Sequence, residues 1–133
     1  MDKSDLKKIL DQFKNAVSRF EESLKQDITQ NDLFLDAAIQ RFEFTYELSW
    51  KTIKRYLQFE GNSVTSPREV FQIAFKKAWI RDEAVWLDMI DDRNKTSHTY
   101  KKSIAMEVYN NLPRYLQAYC EILYKLEGYH SKE

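Results

Sequence analysis

Arg93-Asn94-Lys95-Thr96-Ser97-His98-Thr99-Tyr100 places a guanidinium, an imidazole and a phenol within a few residues of one another. Arg is the side chain whose shape lets it fork onto a phosphate, and His moves protons near neutral pH. The other histidine of the chain, His130, falls in the charged stretch at its end. Such a set suits metal-free cleavage of RNA. A base takes the proton of the ribose 2′-hydroxyl, an acid protonates the leaving 5′-oxygen, and a cation holds the charge that grows on phosphorus. One chain supplies one candidate His at the motif. A two-fold dimer with the motif at its interface would supply two His and two Arg in one cleft, so this chemistry requires the dimer.

On an unbroken helix Arg93 and His98 would stand roughly 140° apart around the axis at about 3.6 residues per turn, and they would not share a target. They converge only if the helix ends between them. Asn94, Thr96 and Ser97 favour such an end, because their side chains compete for backbone groups. If the chain is then extended, His98 and Tyr100 project to the same side. A purely structural account is available as well: Arg93 complements a helix dipole and Ser97 caps the next helix. Asp88, Asp91 and Asp92 share a helical face. That face can hold a hard cation, hold Arg93 in place, or simply be solvated. Glu47 and Lys51 form an i,i+4 pair on the preceding long helix. Trp50, Trp79 and Trp86 are expected in the core or an interface, and Cys120 as inert packing.

Helices must position these residues. Leu6, Leu10, Phe13, Val17, Phe20 and Leu24 repeat at four- and three-residue steps, a single seam on one helix that Ser4 can cap. Gln26 to Gln30 is a polar break, after which Asn31 or Asp32 opens a second helix running to about Glu60. That helix is about 44 Å long at about 1.5 Å per residue. It carries the stripe Leu35, Ile39, Phe42, Tyr46, Ile53 and Leu57, with Trp50 at its border, and a second apolar set, Phe34, Ala38, Phe44, Leu48 and Phe59. Two apolar sides call for neighbours on two sides, which predicts a central helix that also meets a second subunit, the alternative being a helix buried wholly inside one chain. Gly61-Asn62 is the stop. Ser66-Pro67-Arg68-Glu69 reads as a capping box that opens a third helix with Val70, Phe71, Ala74, Phe75 and Ala78. Asp82 caps a fourth helix. A fifth runs from about Lys102 to about Leu126, with Pro113 expected to bend or break it.

The chain has 133 residues with only two Gly and two Pro, and aromatics make up 14% of it. Few turns and many bulky apolar residues predict an all-α, up-and-down bundle of four to five antiparallel helices. Residues 1–128 form one bundle on this reading, and 129–133 a charged tail. The 21 basic residues balance 21 acidic ones, which argues against coating nucleic acid by bulk charge while leaving room for a local cationic cleft. A lone cysteine, a charged start and no long apolar run together predict a cytoplasmic protein with no membrane association.

Arg93 to Tyr100 fits the Arg-x4-His-x-Tyr signature of the HEPN superfamily and resembles that of its HepT-type toxins. Phe42-Glu43-Phe44-Thr45-Tyr46-Glu47-Leu48-Ser49-Trp50-Lys51, Ser66-Pro67-Arg68-Glu69-Val70 and Val85-Trp86-Leu87-Asp88-Met89 resemble segments of the branch called nucleotidyltransferase substrate-binding proteins. The resemblance spans essentially the whole chain. It implies a helical homodimer whose partner is a minimal, MntA-like nucleotidyltransferase, with RNA or a nucleotide in the dimer cleft and no cofactor. It also implies that Arg93 and His98 are ribonuclease residues supported by Asn94, that Tyr100 accepts an adenylyl group, and that Glu47 and Lys51 border the cleft. An alternative within the branch is a non-catalytic subunit that presents nucleotide or substrate to the nucleotidyltransferase.

Overall fold

The computed structural model describes residues 2–131. Five helices follow one another: α1 (Lys3–Leu24), α2 (Asp32–Phe59), α3 (Pro67–Lys76), α4 (Glu83–Lys95) and α5 (Lys102–Glu127), with a 3-10 turn at Thr96–His98 between the last two. No strand occurs among the described residues. The α2 helix packs on all four others, α1 and α5 pack together, and the short α3 and α4 lean on each other and on α2 and α5.

Local chemistry sets the boundaries. Asp2, not Ser4, caps α1: its carboxylate accepts from the Ser4 and Asp5 amides, and Asp5 returns a bond to the Asp2 amide. A reciprocal box satisfies more orphan donors than a lone hydroxyl can. Asn31 caps α2 through the Leu33 amide at 2.9 Å, Ser66 accepts from the Glu69 amide at 3.3 Å, and Asp82 caps α4. Gly61, at φ 90°, closes α2 in a Schellman turn, with the Asn62 amide on the Leu57 carbonyl and the Gly61 amide on that of Gln58. Ala78 makes the same turn after α3 at φ 61°, so it lies beyond that helix instead of on its apolar face. The α5 helix runs through Pro113 without a break, the exposed ring facing away from the core.

The expected stripes fill the interior. Leu6, Leu10, Phe13, Val17 and Phe20 of α1 are buried, as are Leu35, Ile39, Phe42, Tyr46, Ile53 and Leu57 of α2. Aromatic rings link the helices. Phe42 stacks on Tyr115 at 5.3 Å, Tyr119 meets Phe13, Phe20 and Trp86 edge-on, and Trp86 lies 4.9 Å from Phe71. Offset and edge contacts of this kind hold ring positions more tightly than aliphatic packing. His130, in the charged stretch after α5, lies 2.6 Å from the Tyr56 hydroxyl, and Tyr129 packs edge-on against the Tyr56 ring. Lys132 and Glu133 lie outside the described residues. Cys120 is exposed, because the buried face of α5 passes through Ala118, Tyr119, Ile122 and Leu123 and misses it. No helix among the described residues is long and apolar enough to cross a membrane.

Candidate functional site

The α4 helix ends between Arg93 and His98, as the motif chemistry requires. Hydroxyl groups make that end. Thr96 Oγ1 donates to the Arg93 carbonyl at 2.6 Å, Ser97 Oγ to the Asn94 carbonyl at 3.2 Å, and Thr99 Oγ1 to the Thr96 carbonyl at 3.0 Å. Each adds a side-chain donor to a carbonyl in the stretch where the helix stops. Ser97 therefore caps the end of α4; α5 begins at Lys102, and Lys101 before it supplies no side-chain cap. The segment carrying His98 is a 3-10 turn, not extended chain. Even so, the His98 and Tyr100 rings meet edge-on at 6.2 Å, and Tyr100 is exposed to solvent.

Arg93 is held from two sides. Its Nη1 donates to Thr96 Oγ1 at 3.1 Å, and its Nε lies 3.4 Å from Glu47 Oε1 across the groove to α2. The second contact is an ion pair without hydrogen-bond alignment, since Nε has no bonded partner. The guanidinium keeps 35% of its side chain exposed, so donors remain for an incoming anion. Glu47 also accepts from Trp50 Nε1 at 3.2 Å and lies 3.8 Å from Lys51. Tyr46, just before Glu47, has its phenol pushed up to about 12 by burial and by the Glu47 charge, so it stays neutral beneath the ion pair.

The acidic face of α4 does not hold Arg93. Asp88 pairs with Arg114 at 2.9 Å. Asp92, 3% exposed, accepts from the Tyr115 hydroxyl at 2.6 Å and from Asn111 Nδ2 at 2.9 Å. Lys95 lies 3.6 Å from its other oxygen. These carboxylates are spent on α5 and on neighbouring cations, and no group of three or more His, Cys, Asp or Glu suited to a metal ion occurs among the described residues. Sequence reasoning named Asp92 and Thr96 but missed their partners: Asp92 fastens α4 to Asn111 and Tyr115, and Thr96 also accepts from the Arg93 guanidinium. Burial beside Asp92 also holds the Tyr115 phenol well above its ordinary value. Asn94 is exposed, and its carbonyl receives Ser97.

Two depressions adjoin these groups. One, of about 440 Å³, runs between α1 and α2 and is lined by Arg19, Arg41, Phe44, Glu47 and Lys51, among others. The other, of about 550 Å³, is bordered by Leu33, Ile39, Phe44, Thr99 and Tyr100. Phe44 forms the ridge between them. A larger cavity, about 820 Å³ beside Lys3, Trp79, Tyr124 and Tyr129, contains none of the motif residues.

Residues 8–128 match the family model described as nucleotidyltransferase substrate binding protein like. The chain belongs to this family. Among its relatives, a probable ribonuclease HepT of Haemophilus influenzae is 37% identical over 90 residues, which cover 64% of this chain. The chain spans 62% of the length of that relative. A solved protein of Thermus thermophilus superposes with a TM-score of 0.81 at 34% identity, over 86% of this chain and 98% of that one. HI0074 of Haemophilus influenzae, whose structure reveals the fold of a substrate binding domain of a nucleotidyltransferase, gives 0.80 at 29% identity, over 89% and 98%. The family membership and the all-helical fold expected from the motif blocks are thus established.

Proposed function

We propose that this chain is the HEPN-type partner of a minimal nucleotidyltransferase and acts in the cytoplasm, as a homodimer, as a metal-independent endoribonuclease silenced by adenylylation of Tyr100. The observation that carries this reading is the anchoring of Arg93 by Thr96 and Glu47 beside the turn that presents His98 and Tyr100. In one subunit the set is open to solvent and has a single imidazole. Exposed Leu33 on α2, which shares a depression with Tyr100, supplies an apolar surface on which a second copy can bring its own Arg93 and His98 into the same cleft.

In that cleft one His98 takes the ribose 2′-hydroxyl proton as the oxygen attacks phosphorus. The symmetry-related His98 gives a proton to the departing 5′-oxygen. Arg93 stabilises the charge that accumulates on the phosphoryl oxygens between them. The products are a 2′,3′-cyclic phosphate and a free 5′-hydroxyl. Asn94 borders the pair, and Glu47 and Lys51 line the approach. Transfer of an adenylyl group from ATP to the Tyr100 oxygen, with release of pyrophosphate, is the task of the partner. The added phosphate and base then block RNA by charge and by volume.

The likeness to HI0074 favours a second reading: the same dimer without cleavage, holding nucleotide or substrate for the nucleotidyltransferase. Expression in a host lacking the partner separates the two. The ribonuclease slows growth, His98→Ala relieves the arrest, and co-expression of the nucleotidyltransferase restores growth while adding an adenylyl mass to the Tyr100 peptide. Equal growth of wild type and His98→Ala would leave the binding role.

A further inference from the structure

The groove between α1 and α2 has a composition that the proposed cleavage step does not use. Arg19 comes from α1, Arg41 and Lys51 from α2, and Gln12 and Asn15 add amide groups. Its floor is made by Ala16 and Thr45. The Thr45 hydroxyl, buried at 1% exposure, donates to the Arg41 carbonyl at 2.7 Å and approaches the Ala16 carbonyl at 3.3 Å. That contact draws the two helices together at a small residue and leaves the long side chains standing on either bank. Phe44, 52% exposed, and Leu48 give one wall an apolar surface.

Charge pairing distinguishes this groove from the motif beside it. Most cations in or near the motif are engaged: Lys51 with Glu47, Arg93 with Glu47 and Thr96, Lys95 with Asp92, Arg114 with Asp88. Arg19 and Arg41 have neither an ion pair nor a side-chain hydrogen bond among the described residues. Glu47, the single acid lining the groove, is already shared between Arg93 and Lys51. Two unpaired guanidiniums beside an exposed aromatic ring match an unpaired nucleotide, with phosphate on the arginines and base on the ring. Glu47 joins this groove to Arg93, so the two anion sites are contiguous.

We infer that the α1–α2 groove binds single-stranded RNA next to the cleavage centre, Arg19 and Arg41 holding backbone phosphate and Phe44 supporting a base. The inference rests on the ribonuclease reading for the identity of the strand, but its test does not require cleavage. The probe is a fluorescein-labelled 2′-O-methyl oligonucleotide of about ten residues, long enough for one such groove. It lacks the 2′-hydroxyl proton that cleavage consumes. Anisotropy titrations of the full chain compare wild type with Arg19→Gln/Arg41→Gln and with Arg81→Gln, a single charge removed on the exposed turn between α3 and α4. The double variant is expected to bind about tenfold or more weakly and to lose about one unit of the slope of log affinity against log salt, while Arg81→Gln changes little. Phe44→Ala weakens binding without changing that slope.

Several results overturn the inference: no binding by wild type, equal losses in the double variant and in Arg81→Gln, or displacement of the strand by AMP at the same concentration per nucleotide. A change in sedimentation of the double variant would assign the groove to a subunit interface and overturn it too. The two readings fail separately. Arginine-dependent binding by a chain that never cuts RNA keeps the groove and removes the ribonuclease, whereas unaltered binding in an enzyme that cuts RNA does the reverse.

Discussion

A guanidinium on a long flexible stem loses entropy whenever it is fixed in one place, and Thr96 and Glu47 already take up that cost for Arg93 in the folded chain. Thr96 does so through one hydroxyl that caps the helix and accepts from the guanidinium at once. Asp92 acts one residue earlier by fixing the last turn of α4 to Asn111 and Tyr115 of α5. Replacing Asp92 with Ala leaves the buried Tyr115 hydroxyl and the half-buried Asn111 amide without an acceptor and is expected to cost about 2 to 4 kcal/mol of stability. Urea unfolding measures this. Asp92→Asn, which keeps one acceptor oxygen, is expected to lose less, and an unchanged unfolding midpoint in Asp92→Ala would show that the buried contact does not hold α4. The sequence displayed the candidate groups and hid their supports. Arg93, His98 and Tyr100 stand out by type and spacing. Asp92 and Thr96 look like ordinary polar residues near a helix end until the partner on α5 or the folded-back guanidinium is known.

At the scale of elements, apolar spacing was a reliable guide wherever one face had to be buried. The α1 seam and the α2 stripe occupy the core position by position, and the end of α4 falls where Asn94, Thr96 and Ser97 compete for backbone bonds. Details that depend on competing neighbours were less legible. Asp2 and Ser4 can each cap α1, and the reciprocal bond from Asp5 decides for Asp2. Pro113 falls on the solvent side of α5, where neighbouring turns keep the helix intact. Ala78 adopts the left-handed conformation that glycine occupies after α2, because the Trp79 amide must reach the Ala74 carbonyl at 2.9 Å. Its β-carbon makes that conformation costly, so Ala78→Gly is expected to stabilise the chain by about 1 kcal/mol. A thermal melt checks this; a lower midpoint would mean that the Ala78 conformation carries no strain worth removing.

The whole molecule is a bundle whose largely aliphatic interior is tied together by buried tyrosines. Tyr46, Tyr56, Tyr115 and Tyr119 are all buried, and burial raises the phenol of each above the ordinary 10.0. Groups whose folded values are raised give their full stabilisation below the unfolded value and lose it as pH climbs towards the folded one. The unfolding midpoint is therefore expected to fall above pH 10.0, the unfolded phenol value, with phenolate absorbance from these rings appearing together with loss of helix. Their ionisation in a fully helical chain would contradict the packing described. This interior also explains the division of labour: a rigid aromatic core holds α2, α4 and α5, while the candidate motif lies at the end of α4 and on the short turn that joins it to α5.

Incubation of the purified chain with a labelled single-stranded RNA, in the presence of chelator, decides whether the Arg93–His98 turn is a ribonuclease centre. Fragments ending in 2′,3′-cyclic phosphate are expected, with a loss of about a hundredfold or more in rate for His98→Ala, within the range for a general acid–base residue. Intact RNA with the wild-type dimer, or equal rates for the two proteins, would refute the assignment.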